Sequence, residues 1–347
     1  MAVLSLHPYH LPLSQPYRWA KGVQTHRTGF IARMALDGAT GLGEAALLPH
    51  VLHDPAAFVR QAEALLEGLD PLAPDWLDQL ALRECPPAIR CALSSALFSW
   101  QAARQGLRLA ELFAGGDMVE EAVPVNALVT DATPDACVAA TRAHVSAGIQ
   151  TIKLKCGHDR DADLRRVAAI RDAFPDIAIR IDPNQSWDPA WAASQLRQLR
   201  PFGLQYCEEP LPPGTPMVTY RRLREEAEVP IALDESITDT AAAELALTQG
   251  AADVFVLKLQ RLGGLDRLLA VARLGRAHGV DSVVTSTMET TVGITVGVHA
   301  AALVQTPGLD SGLATSSFFA DNLAPPEAVF DGCLSLPPGA GLGIALA

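Results

Sequence analysis

The chain has 347 residues, and at roughly 150 residues per domain this suits one large domain and a smaller one. Hydrophobic residues make up 49% and charged residues 19%, a globular composition that argues against long disorder. With 27 basic against 39 acidic residues the net charge is −12, which disfavours a nucleic-acid partner.

No apolar run approaches the ~18 residues of a membrane span, so no membrane partner is expected. The first residues lack the basic-then-apolar pattern of a secretory leader, so the expected location is cytoplasmic. Cys85, Cys91, Cys137, Cys156, Cys207 and Cys333 form no CxxC pair, and the expectation is reduced, buried thiols rather than a zinc cluster.

Residues 28–36 alternate like a strand, and Asp37 and Gly38 supply a turn. Gly41, Leu42, Gly43, Glu44 and Ala45 follow. Helical patterns then cover 54–69 and 88–105, and Gly115 and Gly116 punctuate their end. Residues 1–118 therefore read as a small α+β domain. From Val123 the pattern becomes strand, loop, helix, repeated. Apolar runs occupy 123–129, 149–155, 177–182, 204–208, 230–234, 254–258 and 281–286, with helical segments such as 161–174 and 265–278 between them. Their ends at 155, 182, 208, 234 and 258 are spaced by 27, 26, 26 and 24 residues, the length of one βα unit. A weaker eighth run lies at 309–314. An open doubly wound sheet would fit the alternation, but the steady period and the count favour a (β/α) barrel of TIM type over 119–320. Residues 321–347 then form a C-terminal segment returning to the first domain.

Each run ends in polar residues: Lys153 and Lys155, Asp182 and Asn184, Glu208 and Glu209, Asp234 and Glu235, Lys258, and then Ser286, Thr287 and Glu289. In a barrel the C-terminal strand ends converge on one mouth. Asp182, Glu208 and Asp234 would repel one another there, and a hard divalent cation relieves the repulsion; three carboxylates with waters and a substrate suit Mg²⁺, with Mn²⁺ as a substitute. Any one of them could instead cap the next helix, but three at matched strand ends favour a metal. Lys155 and Lys258, four strands apart, face each other across the mouth. Either alone could be a rim lysine neutralising a carboxylate. Lys153 points to the same side as Lys155, and its charge would lower the Lys155 pKa. A metal between opposed lysines suits abstraction of the proton beside a carboxylate, the metal stabilising the enediolate and a lysine taking the proton.

These motifs together resemble the enolase superfamily in its muconate-lactonizing-enzyme branch. Gly41 to Ala45 resembles the capping-domain signature of that family, and Ala92 to Leu97 with Trp100 resembles the helix that closes the domain. The resemblance implies a (β/α)7β barrel with an N-terminal capping domain, Lys155 as base in a KxK element, Asp182, Glu208 and Asp234 as metal ligands, Asn184 and Glu235 as their supports, and Lys258 as the opposing lysine. A Lys base beside Mg²⁺ is already established for that superfamily. The seventh run ends without the histidine of a mandelate-racemase-like enzyme, and His278 and His299 are expected to be structural. A small-molecule carboxylate substrate is implied, and family habit implies a homo-oligomer.

Within the branch three activities compete: o-succinylbenzoate synthase, a dehydratase of menaquinone biosynthesis; dipeptide epimerase; and muconate-type cycloisomerase. The runs 123–129 and 286–293 resemble those of the synthases, with N-acylamino-acid racemisation as a possible accompaniment. Dipeptide epimerases carry an Asp-x-Asp on the eighth strand, where this chain has Asp310 alone. Substrate contacts are expected from Ser286, Thr287, Met288, Glu289 and Asp310, and substrate selection from loops 15–28 and 50–54. A metal-binding barrel without catalysis is the non-enzymatic alternative.

Overall fold

The computed structural model describes residues 3–19, 22–47, 54–157, 159–304 and 306–346. Strands β1 (Val3–Trp19), β2 (Gly22–Leu36) and β3 (Ala39–Ala46) form an antiparallel sheet in that order. The turn into β3 uses Asp37 and Gly38, both at positive φ, as a tight hairpin requires. Strand β1 has no simple alternation and contains Pro8, Pro12 and Pro16; it lies at the sheet edge, where a missing N–H is tolerated. Four helices follow: α1 (Pro55–Leu66), α2 (Trp76–Leu82), α3 (Pro87–Arg104) and α4 (Leu109–Ala114).

Two of the motifs read from sequence pack against each other. Helix α3 lies directly on β3, and a Cβ on Gly41 or Gly43 would stand 2.0 Å from the carbonyl oxygens of Ala96 and Ala92 respectively. The hydroxyl of Ser99 accepts from Leu42 N at 2.9 Å and seals the contact. Backbone oxygens cannot step aside as a flexible side chain can. Gly43→Ala should therefore destabilise the protein by roughly 2–3 kcal/mol, read by urea denaturation.

The barrel strands are β5 (Ala127–Val129), β6 (Thr151–Lys155), β7 (Ala178–Asp182), β8 (Tyr206–Glu208), β9 (Ile231–Leu233), β10 (Val254–Leu257) and β11 (Asp281–Val284), parallel neighbours in chain order. Helices α5 (Pro134–Ser146), α6 (Arg160–Ala173), α7 (Pro189–Leu199), α8 (Met217–Ala227), α9 (Thr240–Gln249), α10 (Leu259–Leu262), α11 (Leu265–Ala277) and α12 (Thr291–Val304) follow the strands, one each except that α10 and α11 both follow β10. The expected eighth strand is reduced to Ser311 and Gly312. Ser311 N donates to Pro124 O at 2.7 Å and its carbonyl accepts from Asn126 N at 2.9 Å; Gly312 N donates to Val284 O and its carbonyl accepts from Ser286 N, both at 2.9 Å. The expected first run, 123–129, is broken: its start, β4 (Ala122–Pro124), pairs antiparallel with β12 (Cys333–Ser335) before β5 joins the barrel.

The C-terminal segment reaches the capping helices. Leu109 N donates to Gly341 O at 2.7 Å, and Gly341 N donates to Leu107 O at 2.8 Å. Buried His299 accepts from Ala110 N through Nδ1, which leaves Nε2 to donate to Leu342 O. Burial holds its pKa down at about 4, so it packs as a neutral ring. His278 closes α11, with its ring at Leu274 O. The six cysteines are free thiols, four of them buried. No helix among the described residues is long and apolar enough to cross a membrane.

Candidate active site

The helices that follow the three carboxylate-bearing strands are capped by other residues: Asp188 and Asp239 accept from the first turns of α7 and α9, and Pro216 precedes α8. Asp182, Glu208 and Asp234 are thus not helix caps. All three are buried, with Lys153 and Lys155 beside the first two. Lys153 Nζ lies 2.6 Å from both Glu208 oxygens and 2.9 Å from Asp182 Oδ2, so one ammonium bridges two carboxylates. Lys155 Nζ lies 2.6 Å from Asp182 Oδ2 and donates to Asn184 Oδ1 at 2.9 Å. Asp234 is held by Lys258 and by Arg261, which α10 places three residues further on.

These contacts set the electrostatics. Burial alone would raise the Asp182 carboxyl, but Lys153 and Lys155 hold it well below the usual range. Asp234 is likewise depressed, against burial, by Arg261 and Lys258. Burial favours a neutral Lys153, but Asp182 and Glu208 outweigh it and fix the ammonium. Lys155 shows the same balance: the Lys153 charge lowers its pKa as expected from sequence, yet Asp182 outweighs that and the net direction is up. Glu208 goes the other way, pushed up to about 7 by burial, with Asp182 and Asp234 adding to the rise against Lys153. The Lys153 direction follows from direct contact with two carboxylates; the Glu208 rise follows first from its burial.

Among the described residues no three His, Cys, Asp or Glu side chains stand in metal-binding geometry as they are: Lys153 lies between Asp182 and Glu208, and Lys258 and Arg261 occupy Asp234. The donor set nonetheless fits a hard cation. Three carboxylates end adjacent parallel strands, and two already share one positive charge. Glu235, beside Asp234, has a buried Oε2 without a hydrogen-bond partner, and burial with the Asp234 charge pushes its pKa up to about 8.

Above this layer lies a cavity of about 320 Å³. Lys153, Lys155, Lys258, Arg261, Asn184 and Glu235 line its base, and Ser286, Thr287 and Met288 one wall. The capping domain supplies Tyr17, Gln24 and Arg27, and the segment after Gly312 supplies Thr315 and Phe318. Tyr17 and Phe318 pack with ring centroids 6.1 Å apart. Backbone strain gathers here: Asn184, Gln185, Glu209 and Met288, all at strand-end loops, have positive φ without being glycine.

The enolase C-terminal domain-like family matches residues 136–347, most of the chain. The chain belongs to this family. It is 30% identical over 349 residues to the N-succinylamino acid racemase of Thermus thermophilus, covering 97% of this chain and 92% of that one. It is 39% identical over 201 residues to the o-succinylbenzoate synthase of Thermobifida fusca, covering 57% and 61%. Among solved structures, the muconate lactonizing enzyme of Pseudomonas fluorescens, complexed with muconolactone, superposes with a TM-score of 0.89 at 26% identity, covering 99% and 96%. The dipeptide epimerase of Cytophaga hutchinsonii, complexed with Mg and D-Ala-L-Val, gives 0.89 at 25%, covering 99% and 95%. The fold is that of enolase-superfamily barrel enzymes with an antiparallel capping sheet, and the chain is an enolase-superfamily enzyme.

Two residues expected at the substrate lie elsewhere in this enolase-family barrel. Asp310 is outside the cavity lining; its carboxylate accepts from Thr151 Oγ1 at 2.6 Å, at the start of β6 rather than at its end. Glu289 is buried behind the wall, where it accepts from Thr287 N at 2.7 Å and Thr287 Oγ1 at 2.6 Å and shapes the loop that does line the cavity. The family's Gly-Leu-Gly-Glu motif acquires a role: buried Glu44 accepts from Tyr9 Oη, Thr290 N, Thr290 Oγ1 and Gly293 N at 2.6–2.9 Å, clasping the capping sheet to the start of α12. Arg27 and Arg261 were missed. Arg27 reaches Leu47 O, Thr287 O and Met288 O at 2.7–3.0 Å and ties both domains at the cavity. It falls within residues 15–28, expected to be a loop, whose described residues are found in the ends of β1 and β2 instead, whereas Arg261 had only its nearness to Lys258 as a signal. Residues 50–53 of the second expected selectivity loop lie outside the described residues, and Asp54 caps α1.

Proposed function

We propose that the enzyme abstracts the α-proton of a small carboxylate and acts as an o-succinylbenzoate synthase. The observation that carries the chemistry is the placement of Lys155 and Lys258, from β6 and the end of β10, around one cavity, where Lys155 pairs with buried Asp182, Lys258 with buried Asp234, and Lys153 bridges Asp182 to Glu208. A divalent cation, Mg²⁺ or Mn²⁺, held by those three carboxylates would supply positive charge opposite the substrate carboxylate. With Asp182 engaged by that cation, Lys155 loses the partner that now favours its ammonium. In its neutral form Lys155 takes the α-proton and returns it to the hydroxide leaving on the same face. Lys258 stays cationic on the other face and stabilises the negative charge that develops. Asn184 accepts from Lys155 and fixes where its ammonium points.

The choice of substrate rests on the wall beside the eighth strand. Its lining residues Gly312, Ala314, Thr315 and Phe318 carry no carboxylate to hold an α-ammonium, and Asp310 is directed elsewhere. This favours a substrate with no free amine over a dipeptide, and muconate-type cycloisomerisation is supported by the likeness to the Pseudomonas muconate lactonizing enzyme rather than by a residue of the cavity. A second reading, racemisation of N-succinylamino acids, is favoured by the opposed lysines and by the full-length likeness to the Thermus racemase. With Mg²⁺, the purified enzyme should dehydrate the cyclohexadiene substrate of the synthase reaction with a kcat/KM of at least about 10⁴ M⁻¹s⁻¹, far above its rate on any L-Ala-containing dipeptide. Epimerisation of dipeptides without dehydration would overturn the assignment.

A further inference from the structure

Glu209 directly follows Glu208, and its side chain is as deeply buried, yet no cation is among its hydrogen-bond partners. Its backbone is held at φ 36°, a left-handed conformation unfavourable for a residue with a side chain. The main chain there stays paired, Glu209 N donating to Ala232 O and Gln185 N to Glu209 O, both at 2.9 Å. The turn sends the carboxylate across to the next strand end. Its Oε2 accepts from Asp234 N at 2.8 Å and from Ser236 N at 3.2 Å. Its Oε1 accepts from Tyr220 Oη at 2.7 Å and from Ser236 Oγ. One residue thus holds the neighbouring carboxylate through its own backbone and the next carboxylate through that residue's amide. Strand β9 ends at Leu233, so Asp234 lies just beyond the ladder that would otherwise fix its position. A buried carboxylate costs stability unless its lone pairs are filled, and these are filled by three groups of the loop that carries Asp234 and by the Tyr220 hydroxyl of α8.

We infer that Glu209 is a positioning residue that fixes the separation of Glu208 and Asp234 and thereby sets the affinity of the site for a divalent cation. The inference rests on the metal reading above. A glutamine can keep the clamp: its amide oxygen takes the two N–H groups, and its NH₂ donates to the two hydroxyls, which accept as readily as they donate. An aspartate, one methylene shorter, cannot reach them. Phenylalanine at Tyr220 removes one hydroxyl of α8 and leaves the contacts to 234–236 intact.

The test is calorimetric titration of Mg²⁺ into substrate-free protein, with thermal unfolding measured alongside. Glu209→Gln should bind within about threefold of wild type, and Glu209→Asp at least tenfold more weakly. Tyr220→Phe should lower the Tm without weakening binding. Wild-type affinity in Glu209→Asp would overturn the inference, as would affinities that simply follow the Tm across the three variants, since Glu209 would then be structural cement. Asp234→Asn separates this from the reading beneath it. If that variant binds Mg²⁺ as wild type does, the metal assignment itself fails and the inference falls with it; if it loses binding while Glu209→Asp keeps it, only the inference fails.

Discussion

Asp234→Asn is expected to reduce turnover on the order of a thousandfold and to leave a folded protein. The carboxylate is buried, receives both Lys258 and Arg261, and is one of three at adjacent strand ends. An amide keeps its shape and removes its charge. The stability cost is not zero, because two cations lose their partner, and breaking a fully buried pair costs roughly 3–5 kcal/mol. Lys258 and Arg261 both line the open cavity, however, and can turn toward solvent, so a smaller loss is expected. Steady-state kinetics, circular dichroism and urea denaturation on one preparation separate the two effects. EDTA treatment of wild type should reproduce the loss of turnover, and Mg²⁺ or Mn²⁺ should restore it. Full activity after EDTA would sink the metal assignment.

The second large effect concerns the lysines. Lys155→Ala and Lys258→Ala should each lose on the order of 10²–10⁴ in kcat, the range for a positioned acid–base group. Loss of rate alone separates nothing, because both dehydration and racemisation need both residues. Isotope exchange does separate them. For a dehydration in which Lys155 is the only base, Lys155→Ala should show no α-proton exchange in D₂O, followed by proton NMR. For a racemisation, each single variant should still exchange the α-proton of one stereoisomer, through the lysine that remains on that face. Exchange of both stereoisomers by Lys155→Ala would contradict both readings.

Much of this site was legible along the chain because a parallel strand in a barrel is buried on both sides and reads as an apolar run. The polar residue that ends each run is therefore conspicuous, and Lys155, Asp182, Glu208, Asp234 and Lys258 all stood out. Strand β1 did not, since its three prolines disguise an edge strand. The eighth position did not either, because two residues are too few to leave a periodic signal. The run at 309–314 suggested that Asp310 would reach the mouth, but only the residues after Ser311 do. Charge pairing was the least legible. Sequence showed that Lys153 would depress the Lys155 pKa, but not that Asp182 would sit 2.6 Å from Lys155 and reverse the outcome. That depends on distances between strands, which no spacing along the chain encodes.

The reduction of the eighth strand to Ser311 and Gly312 bears on how the molecule is made. A chain leaving the ribosome presents its strands one at a time, and up to Val284 they can form only an open, curved sheet with two free edges. The ring is sealed when a two-residue clasp arrives, joining Asn126 on one edge to Val284 and Ser286 on the other. The segment just before the barrel waits longer still, since β4 finds its partner only at Cys333–Ser335, and the entry to α4 is held by Gly341. Synthesis order and assembly order therefore run against each other: early segments are secured by late ones, and both edges of the barrel sheet stay open to wrong partners until Ser311 and Gly312 have emerged.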